Sequence, residues 1–187
     1  MSKTRKITTC AMLLALASVL TYLSKVIPSP WLQGGEVTIA SMVPIIAASI
    51  ILDTKWGLAT SLTYSLLRII IMGFMVPPVK NFSSFLIVIL LDYVIAFGVF
   101  GFAGSFYRLF GKKIWAIPLS GIIVSAFRYL CHFVSGIVIW GVYAPEGQSV
   151  VMYSIIYNAG FMIPETIITT IVLGSLSWII QSQARKQ

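Results

Sequence analysis

The sequence predicts an all-α integral membrane protein: a single membrane domain of six transmembrane helices, with the N- and C-termini in the cytoplasm. Three observations carry this. First, of 187 residues 58% are hydrophobic and 10% charged, with a mean hydropathy of +0.96, whereas soluble domains are about a quarter charged. Second, the chain has room for six apolar stretches of roughly 20 residues joined by short polar ones. Third, the basic residues alternate between segments. Lys3, Arg5 and Lys6, then Lys55, then Arg108, Lys112 and Lys113, then Arg185 and Lys186 occupy every second inter-helix segment. The segments between them hold only Lys25 and Lys80, with Glu36 and Glu146. That is the positive-inside asymmetry, so the net charge of +8 reports topology rather than a nucleic-acid surface.

The first helix is expected over about residues 7–26. A basic start precedes it, but no small-residue cleavage site closes it, so it reads as a retained span. Ala11 and Ala15 place small residues four apart, a stripe that another helix can approach closely. Pro28 and Pro30 end the helix, and a loop follows with Trp31, Gly34, Gly35 and Glu36, a composition suited to a lid. Helix 2 (about 37–52) is short and leads into a tight turn at Asp53–Gly57. Helix 3 (57–75) carries Tyr64 and Arg68. Helix 4 (83–106) carries Asp92 and Tyr93 and ends in Gly98, Gly101 and Gly104. Helix 5 (114–141) holds Arg128, His132 and Trp140. Helix 6 (150–180) holds Tyr153, Tyr157, Asn158 and Glu165.

Polar side chains are expensive inside a bilayer and are usually functional there. At about 1.5 Å per residue, Arg68, Asp92 and His132 fall at one level in the outer half, below Tyr153, Tyr157 and Asn158. Arg128 and Glu165 lie deeper. Convergence of four helices at one depth points to a pocket for a polar, cationic or aromatic small molecule. Plainer readings stand beside it. Arg68 with Asp92, and Arg128 with Glu165, form candidate structural ion pairs; His132 could be a core histidine, Trp140 a member of an interfacial belt, and Asn158 a bridge between helices.

The sequence offers little for catalysis. It has no phosphate-binding glycine loop, no HExxH and no G-x-S-x-G. One histidine and two separated cysteines, Cys10 and Cys131, make neither a metal centre nor an expected disulfide. No cofactor is expected. A membrane enzyme using Asp92 and His132 as an acid–base pair, or a self-sufficient secondary transporter, stays open as an alternative.

Five pieces of the chain, in order, resemble the thiamine-specific substrate-binding S components of energy-coupling factor (ECF) vitamin transporters. They are Gly34-Gly35-Glu36-Val37-Thr38; Trp56-Gly57-Leu58; Leu91-Asp92-Tyr93 with Ala96-Phe97-Gly98; Arg128-x3-His132-x2-Ser135-Gly136-x3-Trp140; and Tyr153-Ser154-x2-Tyr157-Asn158-x5-Pro164-Glu165. The last two are the specific ones. The resemblance implies a six-helix fold, a ligand site near the outer face, and no enzymatic activity. It implies as partners thiamine, a transmembrane coupling subunit, two cytoplasmic ATPases and the lipid bilayer of a bacterial cell, with no nucleic acid. By the same resemblance Asp92 takes the aminopyrimidine, and His132 and Trp140 sandwich the thiazolium. Tyr153 and Asn158 hydrogen-bond the pyrimidine, Glu36 reaches in from the lid with Trp31, and Tyr64 and Tyr93 complete the site. Ala11 and Ala15 would face the coupling subunit. If helix 5 stayed regular, Trp140 would lie about 12 Å along the axis from His132; both can reach one ligand only if the helix end bends. An S component for another vitamin or a thiamine precursor is the nearest alternative.

Overall fold

A computed structural model describes residues 1–26 and 35–186. Among them there is no strand, and six helices follow one another. They are α1 (Lys3–Ser24), α2 (Met42–Ile51), α3 (Thr54–Met72), α4 (Phe82–Leu109), α5 (Ala116–Val138) and α6 (Val150–Arg185). Four of them, α1, α4, α5 and α6, are long and apolar enough to cross a membrane. The 10-residue α2 spans only about 15 Å, and the 19-residue α3 is less apolar because Ser, Thr, Tyr and Arg interrupt it. The outer surface matches a lipid environment: Ile70, Phe82, Leu109, Ile171 and Trp178 are all largely exposed.

Side-chain caps start four of the helices. Ser2 Oγ accepts from the Arg5 N–H, Asp53 Oδ1 from Trp56, Asn81 Oδ1 from Ser84 and Ser149 Oγ from Met152. Each satisfies an N–H that the first turn leaves orphaned. The Asp53 cap starts α3 three residues before the expected position, and Gly73, at φ 93°, stops it early. Helix α2 begins five residues later than expected. Residues 35–38 are not helical because the Thr38 N–H and hydroxyl are both claimed by Glu165 of α6, at 2.5 and 2.6 Å.

α2 is the centre of the bundle: Met42 to Ile50 are all buried, against Tyr64, Phe97, Phe100 and Leu173 among others. A helix apolar on every side can sit only in a core. Glycine lets α4 approach both α2 and α3. A Cβ on Gly104 would stand 2.0 Å from the Ser49 carbonyl oxygen, and one on Gly101 2.6 Å from the Leu58 backbone. Ser49 Oγ exploits this closeness, donating to the Gly101 carbonyl at 2.5 Å and accepting from the Gly104 N–H at 2.9 Å. Helix α1 buries Cys10, Ala17, Thr21 and Ser24 on one face and leaves Ala11 and Ala15 exposed on the other.

Candidate functional site

One end of the bundle gathers the linker before α2, the end of α3, the start of α4, the end of α5 and the start of α6 around a cleft. Asp92 is its polar centre. It lies on a π-helical stretch of α4, Ile89–Ile95, a local widening often found at functional positions. Its Oδ1 lies 2.8 Å from His132 Nδ1, and its Oδ2 accepts from Ser135 Oγ at 2.6 Å and Trp140 Nε1 at 3.1 Å. His132 Nε2 accepts from the Arg128 Nε–H at 3.3 Å. With Nε2 an acceptor, the proton belongs on Nδ1, and His132 acts as a neutral ring donating to Asp92. Arg128, His132 and Ser135 reach the same place because positions three and four apart share a helix face.

Trp140 joins this set because α5 stops at Val138 and a 3-10 turn, Trp140–Tyr143, follows. The break folds the indole back over the last turn, which removes the axial separation a regular helix would impose.

The two arginines are held by one ring. The guanidiniums of Arg68 and Arg128 lie 5.2 and 4.6 Å from the centroid of Phe97, within cation–π range. Arg68 pairs with Glu36, not with Asp92. Nor does an ion pair join Arg128 to Glu165 among the described residues. Both expected pairings are corrected for one reason. The non-helical linker before α2 enters the cleft, delivering Glu36 to Arg68 and Thr38 to Glu165, which helix spacing alone could not show.

On the far wall, α6 presents Tyr153, Tyr157 and Phe161 at i, i+4 and i+8, with ring centroids 5.5 and 6.1 Å apart along the row. The Asn158 side-chain amide donates to the Ser154 carbonyl at 2.9 Å and the His132 carbonyl at 3.3 Å. Tyr93 accepts from the Met75 N–H at 2.9 Å and stacks on Phe74. Two buried polar atoms of the cleft, Arg68 Nε and Tyr153 Oη, have no hydrogen-bond partner among the described residues.

Of the expected ligand-contacting residues, Glu36, Asp92, Tyr93, His132, Trp140, Tyr153 and Asn158 line this cleft. Tyr64 does not. It is wholly buried beneath Phe97, its hydroxyl bonded to Thr21 Oγ1 at 2.6 Å and Ser41 Oγ at 3.0 Å, and so ties α1, α2 and α3 together. Trp31 and Gly34 lie outside the described residues. The cleft also contains Tyr157, which the depth estimate had placed beside Tyr153, and Phe97, Met75, Gly136 and Phe161, which polarity-based reasoning passed over. The i, i+4, i+8 aromatic row on α6 was a usable signal; Phe97 carried none, because its partners are distant in sequence.

These features define a class: a multi-pass helical membrane protein with a small-molecule cleft at one end of the bundle. The chain belongs to the thiamine transporter protein family (Thia_YuaJ), which matches residues 7–184. That family is one of transporters and not of enzymes. The chain is 37% identical over 150 residues to the thiamine transporter ThiT of Bacillus subtilis (strain 168), covering 75% of this chain and 74% of that one. It is 38% identical over 96 residues to the protein of the same name from Lacticaseibacillus paracasei, covering 46% of this chain and 48% of that one. In fold it resembles the solved structure of ThiT from Listeria monocytogenes, with a TM-score of 0.73 and 21% identity over 97% of this chain and 98% of that one. Its place is thus among multi-pass membrane transporters of bacteria.

Proposed function

We propose that this chain is the high-affinity thiamine-binding S component of an ATP-driven ECF-type importer. In this reading it crosses the membrane six times, keeps both termini cytoplasmic, and works with a coupling subunit and two ATPases. The observation that carries the ligand assignment is the lining of the cleft, where the Asp92 carboxylate stands among the rings of Trp140, Tyr153, Tyr157 and Phe161. Glu36 and Arg68, which pair with each other, and Arg128 line it as well. Thiamine is a monocation with a flat thiazolium, which a carboxylate and ring faces attract, and an aminopyrimidine with donor and acceptor edges.

Asp92 is the natural partner of the aminopyrimidine. In the described state Trp140 Nε1 occupies Asp92 Oδ2, so ligand entry exchanges an indole donor for the ligand's amino donor. This frees the indole to stack on the thiazolium across from His132. Tyr153 Oη and Arg68 Nε, the two orphaned polar atoms, supply further donors. Import needs partners because the chain has no phosphate-binding loop of its own.

Titration of purified, ligand-stripped protein with thiamine, followed by tryptophan fluorescence, tests the assignment. Quenching at micromolar thiamine, with the vitamin recovered unchanged, is the expected result. An absent fluorescence change, together with no calorimetric heat, would remove thiamine as the ligand.

A further inference from the structure

We propose that the basic end of the bundle, opposite the ligand cleft, carries a second site that binds the phosphate headgroup of an anionic phospholipid. Two clefts adjoin there and share Met1 and Ile51. The larger, about 460 Å³, is bordered by Lys6, Arg108, Lys112 and Arg185. The smaller, about 220 Å³, is bordered by Arg5 and Lys186 and, further along α1, by Met12 and Leu13. Arg5, Thr9, Met12 and Leu13 follow helical spacing, so charged residues give way to apolar ones along one face.

These cations lack counter-charges. The chain has five acidic residues; Glu36 and Asp92 line the ligand cleft, Glu165 is held by Thr38 of the linker that enters it, and Glu146 lies in the loop leading into α6. Only Asp53 remains near the basic clefts, and it is taken by Lys6 at 3.1 Å while it caps α3. Arg5, Arg108, Lys112, Arg185 and Lys186 form no ion pair among the described residues.

One of the cations is held by its side chain and another by its backbone. Arg108 Nη2 donates to Thr54 Oγ1 at 2.5 Å. Lys112 adopts a left-handed conformation, φ 57°, directly after Gly111 at φ 72°, which is unusual for a lysine. Its carbonyl accepts from the Tyr107 hydroxyl at 3.1 Å and the Gln181 side-chain amide at 2.8 Å. The turn is therefore pinned to both α4 and α6.

A fixed guanidinium beside an ammonium carried on a pinned turn suits a phosphate, and basic pockets between helices are known to take anionic headgroups. The apolar crevice decides between sources. An acyl chain can lie along Met12 and Leu13, whereas inorganic phosphate gains nothing from them.

The test compares thermal unfolding of the purified chain in phosphatidylcholine nanodiscs with and without phosphatidylglycerol. Three variants accompany the native chain: Lys112→Asn with Arg185→Gln; Arg5→Gln with Lys186→Gln; and, as a charge-matched control outside both clefts, Lys3→Gln with Lys55→Gln. Asparagine keeps position 112 compatible with its backbone. Anionic lipid is expected to raise the unfolding midpoint and to remain bound in native mass spectrometry. Each cleft cation removed should weaken retention about fivefold, while the control pair keeps the full gain. Equal midpoints in the two lipids would overturn the proposal. So would a control pair that loses as much as the cleft pairs, since the attraction would then be diffuse. Equal stabilisation by inorganic phosphate in phosphatidylcholine would rule out a lipid as the occupant.

Discussion

Asp92 shows how much one side chain integrates. It accepts from His132, Ser135 and Trp140, so two turns of α5 and the 3-10 turn after it converge on a single carboxylate. Asp92→Asn preserves shape but replaces one acceptor with a donor. Thiamine affinity is expected to fall by about 1.5–3 kcal/mol, the value of a charge-assisted hydrogen bond. Calorimetric titration of a folded variant checks this; unaltered affinity would show that the aminopyrimidine binds elsewhere. Arg68 and Glu36 test the other side of the cleft. Breaking their buried pair with Arg68→Met leaves a lone carboxylate, a loss of about 3–5 kcal/mol in stability. Adding Glu36→Gln should restore most of it. If the double variant is no more stable than the single one, the pair is not what holds the linker in the cleft.

Helix approach is set by where side chains are missing. Gly104 faces the Ser49 backbone carbonyl, which cannot yield without moving α2. Gly104→Ala is expected to destabilise by about 1–3 kcal/mol or more. Gly136→Ala should act on the cleft as well, since its Cβ would stand 2.1 Å from Ser154 Oγ and 3.0 Å from Asn158 Nδ2. Denaturant unfolding separates the two: Gly104→Ala loses stability alone, and Gly136→Ala loses stability and thiamine affinity together. At the opposite end, Asp53→Ala removes the α3 cap at a cost of about 0.5–2 kcal/mol. Burial opposes ionisation of Asp53, but the Trp56 N–H bond and Lys6 outweigh it and hold the carboxyl below its ordinary range. Its contribution is therefore full above the usual carboxylate pKa and fades as pH falls through the lowered one. Asp53→Ala should lose this acid-sensitive component; a variant with the same acid profile as the native chain would assign the profile to other groups.

Across the whole molecule the surface divides by role. Glu36 and Asp92 line the ligand cleft at one end, the basic clefts occupy the other, and apolar side chains cover the sides. Ala11 and Ala15 lie on the exposed face of α1, directed away from the cleft-forming helices. Ala11→Trp or Ala15→Trp therefore adds bulk on a face that the described residues leave open. If a coupling subunit docks on this stripe, as the proposed function has it, thiamine binding should remain intact while uptake is lost, because close helix approach needs small residues. Normal uptake in both variants would show that no partner packs against this face.

Composition alone determined that this chain lives in a membrane, since 58% hydrophobic and 10% charged residues could not form a soluble surface. The rarity of polar groups in its apolar stretches made Asp92, His132, Trp140, Tyr153 and Asn158 legible as a set, because burying each is costly unless it is used. The glycine run of α4 was equally visible, though not the Ser49 carbonyl it makes room for. Periodicity could not decide the pairing of charges. Helix depth put Arg68 level with Asp92 and Arg128 near Glu165, but ion pairing depends on lateral position and on chain outside the helices. Glu36 and Thr38 come from a linker that the sequence pattern had assigned partly to α2, and Glu165 itself draws that linker out of helical geometry. Tyr64 follows the same logic: the family resemblance placed it near the ligand, yet the hydroxyls of Thr21 and Ser41 hold it in the core. A side chain's polarity is a property of its sequence; its partner is a property of the packing that brings distant segments together.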